Sequence, residues 1–114
     1  MSREFTVPGL KRIATEVKKR LGPDAVPMSI FARGGFFINE DFVDSDYDII
    51  QLDWTVDGKT ILRVVGQRYN TFSVKSAKET LKGKTLQGNM DPCYLYAPKD
   101  EIEKAAIQLV EDFR

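Results

Sequence analysis

Histidine is absent from this 114-residue chain and cysteine occurs once, at Cys93. Those two absences remove intrachain disulfides, imidazole or thiolate zinc centres, and every Ser-His or Cys-His catalytic arrangement. Long apolar runs are missing too, and no charged-then-apolar leader opens the chain, so neither a membrane span nor a secretory signal is expected. A cytoplasmic protein is the expectation. Net charge is zero, with 17 basic and 17 acidic residues, which counts against a nucleic-acid binder. Gly83-Lys84-Thr85 matches only the end of a phosphate loop, because the earlier glycine would fall at Lys78. Asp44, Asp46 and Asp48 alternate like the first ligands of a calcium loop, yet Ile49 stands at the required glycine and Thr55 at the bidentate glutamate. No metal and no cofactor is expected.

What is present fits a single globular domain over residues 1–114, with apolar residues enough for one ordinary core. Its charges are sorted along the chain. Residues 1–35, 36–57, 58–89 and 90–114 carry net charges of +4, −7, +6 and −3. Such blocks predict surface patches of opposite sign. Leu10, Ile13, Ala14, Val17 and Leu21 recur at helical spacing after Pro8, and Gly22-Pro23 stops the pattern. A second helix is predicted from Pro98, with Asp100 and Glu101 in its first turn and Ile102, Ala105, Ala106, Leu109, Val110 and Phe113 as its apolar stripe. Ile107 falls off that stripe.

Between the helices, residues 48–74 alternate apolar and polar groups and carry Asp57-Gly58 in the middle, which reads as an antiparallel hairpin. In the preferred register Leu52 faces Leu62, Ile50 faces Val64 and Trp54 lies on the core face. Val26–Arg33 and Phe36–Ile38 flank Gly34-Gly35 as a second candidate hairpin, with a phosphate-binding backbone nest as the functional alternative. Ser76 to Glu79 has capping-box form for a short helix ended by Gly83. Residues 86–91 read as loop, 93–96 as a last short strand, and Cys93 as a small buried hydrophobe. The predicted fold class is α+β: an antiparallel sheet of about four to five strands flanked by N- and C-terminal amphipathic helices.

No residue motif ties the chain to a family. The favoured function is a small non-enzymatic binding or accessory protein that self-associates as a homodimer through the aromatic-rich run containing Phe36, Phe37 and Phe42. The alternative is a small-molecule-binding protein or simple acid-base enzyme with a pocket on the concave sheet face. Its polar groups would be Asp53, Arg63, Tyr69, Tyr94 and Tyr96, with Trp54 among the walls. A weak nucleic-acid role resting on the basic first helix comes third.

Overall fold

A computed structural model describes residues 2–54 and 74–114. Helix α1 spans Val7–Leu21, with Pro8 in its first turn and Lys18, Lys19 and Arg20 in its last, where positive charge complements the helix dipole. Gly22 ends it at a φ of 53°, returning its N–H to the Lys18 carbonyl. After a 3-10 turn at Gly22–Asp24 the chain enters β1, Ser29–Phe31. A 3-10 helix, Phe36–Phe42, carries it back to β2, Ile49–Gln51. Helix α2 (Val74–Thr80) leads into β3 (Thr85–Gln87), and a further 3-10 helix (Pro92–Tyr96) leads into α3 (Lys99–Asp112).

The three strands form one parallel sheet in the order β1-β2-β3. This overturns the predicted antiparallel sheet of four to five strands. The physical reason is that β2 is the middle strand: Ile50 is paired with Ile30 on one side and Leu86 on the other. Both of its edges are occupied. The residues expected opposite it in a hairpin lie outside the described residues, and the Gly34-Gly35 pair sits in a turn that leads into a helical crossover instead of a hairpin. A parallel return needs a connection of about a dozen residues, which residues 32–48 supply.

Ile30, Ile50 and Leu86 form the row of the sheet that faces the core, where Phe42, Tyr47, Leu52, Val74, Ala77 and Leu81 join them. On the other face Gln51 reaches Ser29 Oγ at 3.4 Å and Gln87 Oε1 at 3.2 Å. Val7 and Ala14 bring α1 into this core, but Ile13 on its predicted stripe is 53% exposed. Along α3 no residue is fully buried, and both Val110 and the off-stripe Ile107 are exposed.

The acidic segment before β2 is matched to α1. Lys11 pairs with Asp44, Thr15 with Asp46, and Lys18 with Asp48. Two residues of loop reach at most about 7 Å, and one turn of helix rises about 5.4 Å, so alternate loop side chains keep step with successive turns. Two of the basic groups of α1, Lys11 and Lys18, are thereby paired with acidic ones of the same chain, which weakens the case for a nucleic-acid footprint on α1. Lys84 Nζ adds bonds to the Ser45 and Tyr47 carbonyls at 2.6 and 2.7 Å.

Asp48 also accepts the Met28 N–H at 2.7 Å. The Lys18 ammonium and that N–H hold its carboxyl below the usual carboxylate range, as the Lys11 ammonium does for Asp44. A depressed folded value means the protonated form is favoured in the unfolded chain, so the contribution is full above about pH 4 and is lost as pH falls through the folded values. Melting temperature measured from pH 6 down to pH 2.5 is therefore expected to fall below about pH 4, and less steeply in Asp48→Asn. Superimposable acid limbs would rule out this linkage.

Candidate functional site at the strand exits

All three strands leave the sheet at the same end, because they are parallel. Their exits carry the polar groups. After β1 comes the turn Ala32-Arg33-Gly34-Gly35, in which the Gly35 N–H returns to the Ala32 carbonyl at 2.8 Å. After β2 come Leu52, Asp53 and Trp54, and after β3 come Gly88, Asn89, Met90 and Asp91. Two backbone-directed links lock these exits together. The Asp53 carboxylate, 3% exposed, accepts the Gly34 N–H and ties β2 to β1. The Leu52 N–H donates to the Gln87 carbonyl at 2.7 Å and ties β2 to β3.

The sequence-predicted site residues fall unevenly on this rim. Asp53 is buried beneath it, and Trp54 is 45% exposed rather than on the core face. Tyr94 and Tyr96 lie on the exposed 3-10 helix that follows the β3 exit. Arg63 and Tyr69 lie outside the described residues. Of the aromatic run, Phe37 is half-exposed, the Phe36 side chain is not described, and Phe42 is fully enclosed in the core, where a dimer partner could not reach it. Cys93, expected to be buried, is exposed, and Asp91 beside it pushes its thiol up from the ordinary value.

Arg33, Gly34, Gly88 and Asn89 were not singled out as a joint site by the sequence. The available signal was weak: short strands Ser29–Phe31, Ile49–Gln51 and Thr85–Gln87 are each followed within two residues by a charged residue or a glycine, at Arg33, Asp53 and Gly88. An open groove of about 320 Å³ lies at the other end of β3, lined by Lys78, Leu81, Lys82, Gly83, Lys84, Leu86 and Phe113. None of the expected pocket residues that are described, Asp53, Trp54, Tyr94 and Tyr96, lines it. The rim itself offers a guanidinium, an indole and an amide around one buried carboxylate, a set suited to binding and orienting an anionic ligand.

Consecutive parallel strands in chain order, with helical connections and polar groups gathered at their C-terminal ends, define a segment of a (β/α)-barrel of the kind that carries its active site at that end. The comparisons agree with this topology. A family profile described as uroporphyrinogen decarboxylase (URO-D) matches residues 1–114, and the chain belongs to that family. It is 38% identical to the uroporphyrinogen decarboxylase of Schizosaccharomyces pombe over 113 residues, covering 96% of this chain and 28% of that protein. It is also 38% identical to the Homo sapiens protein of the same name, covering 96% of this chain and 27% of that one. With the Salinibacter ruber protein, again 38% identical, 97% of this chain and 27% of the relative are covered. The chain thus spans just over a quarter of the length of the curated relatives it matches. Membership in a family of enzymes overturns the expected non-enzymatic accessory protein. No helix among the described residues is long and apolar enough to cross a membrane.

Proposed function

We propose that this chain forms one wall of a uroporphyrinogen decarboxylase active site, with the exits of β1, β2 and β3 as the part that meets substrate. The observation that carries the reading is the family match over residues 1–114, combined with a parallel sheet whose polar groups collect at the strand exits. Decarboxylation breaks the bond between a carbon and its carboxyl group, leaves the electron pair on that carbon, and ends when a proton is delivered there. A substrate for this reaction carries carboxylate by definition. The wall would contribute orientation: Asp53 holds the β1 exit in place through the Gly34 N–H, and the rim above it faces the ligand. Tyr94 and Tyr96, on the exposed helix after β3, are further candidates for substrate contact in this reading. A cytoplasmic location and twofold self-association belong to the same proposal, the latter supported by half-exposed Phe37 and exposed Ile107.

The test is an exchange. Replacing the matching 113-residue segment of the Schizosaccharomyces pombe enzyme by this chain should give a hybrid that still consumes uroporphyrinogen, with kcat/KM within about a hundredfold of the parent. A hybrid that melts like its parent but turns over no substrate would overturn the reading.

A further inference from the structure

The bond from the Gly34 N–H to the Asp53 carboxylate joins the exits of β1 and β2. Arg33 immediately precedes the donor residue and Trp54 immediately follows the acceptor. The same bond therefore ties together the neighbouring strand exits that carry these two positions, at the end of the sheet where the substrate would approach. Both are exposed, Trp54 to 45%. Most basic groups that reach the acidic segment 40–48 are occupied: Arg3 by Glu40 and Asp41, Lys11 by Asp44, Lys18 by Asp48, and Lys84 by two carbonyls. Among the described residues no hydrogen bond or ion pair engages the Arg33 guanidinium, as is true also of Arg12 and Lys19 on α1, but of these only Arg33 stands at a strand exit.

We infer that Arg33 and Trp54 form a lip that binds a carboxylate-bearing ring, the guanidinium taking the carboxylate and the indole lying against the ring. The planar fork of an arginine matches a carboxylate with two parallel hydrogen bonds, and an indole face offers a large apolar surface to an aromatic partner. The buried Asp53 contributes by fixing the backbone on both sides of the lip, not by contact with the ligand. Arg33 is thus a specificity-determining residue. The inference deepens the decarboxylase reading and rests on it.

Trp54 is the only tryptophan, so its emission reports on this site alone. The 114-residue chain is titrated with uroporphyrin, the oxidised form of the substrate ring, and separately with its uncharged methyl ester. Saturable quenching is expected with the acid and not with the ester. Arg33→Gln should weaken binding at least tenfold with an unchanged melting temperature, Arg33→Lys should recover part of it, and Arg12→Gln, which removes one exposed charge on α1, should change it less than twofold. Absent quenching, equal binding by Arg33→Gln, or an equal loss in Arg12→Gln would overturn the lip. The decarboxylase reading fails separately, by an inactive hybrid, so a turning-over hybrid combined with Arg33-independent binding rejects this inference alone.

Discussion

Phe42→Ala is expected to destabilise the chain by about 3 to 5 kcal/mol, a large part of the roughly 5 to 15 kcal/mol that holds a domain of this size together. Phe42 closes the 3-10 helix that carries β1 back to β2, and its side chain is 0% exposed. Its ring meets Tyr47 edge-on, with centroids 5.9 Å apart and planes at 84°. That geometry adds about 0.5 to 1.5 kcal/mol beyond area burial. Tyr47 is in turn held by its hydroxyl, which donates to the Leu10 carbonyl of α1 at 3.2 Å. Removing the Phe42 ring therefore opens a cavity where the crossover, the helix and the sheet converge. Urea unfolding followed by far-UV circular dichroism, with an unchanged slope, measures the loss. A change under about 1 kcal/mol would mean the site collapses without a cavity, contrary to the packing described. Trp54→Ala, at a position the sequence puts on the core face, should cost less than Phe42→Ala because the indole is half in solvent.

Gly88→Ala is the second large effect, expected at about 3 kcal/mol or more. Gly88 sits at φ 105°, which side-chain-bearing residues rarely adopt, and a Cβ there would fall on the Leu52 carbonyl oxygen. The obstacle is backbone, so no side chain can swing aside. Moving the β3 exit away from β2 would also stretch the Leu52 N–H bond to the Gln87 carbonyl. Gly83 supplies the internal comparison: its φ is 85°, but nothing lies within 4 Å of an added Cβ. Gly83→Ala should carry only the conformational cost, about 1 to 2 kcal/mol. Thermal melts of the two variants separate the terms, and equal losses would show that the close approach at Gly88 carries no energy of its own.

The terminal helices were legible because their signals are local. Pro8, the basic last turn and Gly22 bracket α1, and Pro98 with Asp100 and Glu101 opens α3. The sheet was not, since parallel pairing is set by residues far apart. Ile30, Ile50 and Leu86 make one row across three strands of three residues each, and nothing near Ile50 in the sequence names its two neighbours. Asp57-Gly58 offered a strong local turn signal that favoured a hairpin instead. The site suffered from the same cause. Asp53 and Trp54 were picked out for their polarity and aromaticity, but Gly34 and Gly88 matter through what their backbones approach, which only the packed exits reveal. The alternating aspartates show in the sequence only as an incomplete calcium pattern, because their match to α1 depends on a helix some thirty residues upstream.

That match, Lys11 with Asp44, Thr15 with Asp46 and Lys18 with Asp48, behaves as a vernier between two chains of different rise. A vernier tolerates changes of marking better than changes of length. Glutamate or asparagine at Asp44 or Asp46 alters a single exposed contact of small energy. One inserted residue, by contrast, shifts every later side chain out of step, and with it the Asp48 contact to Met28 that sets where β1 and β2 begin to pair. Asp44 and Asp46 are thus positions at which composition is free to drift while the length of loop 44–48, which seats Tyr47 in the core, is not, the reverse of what an exposed acidic loop ordinarily allows.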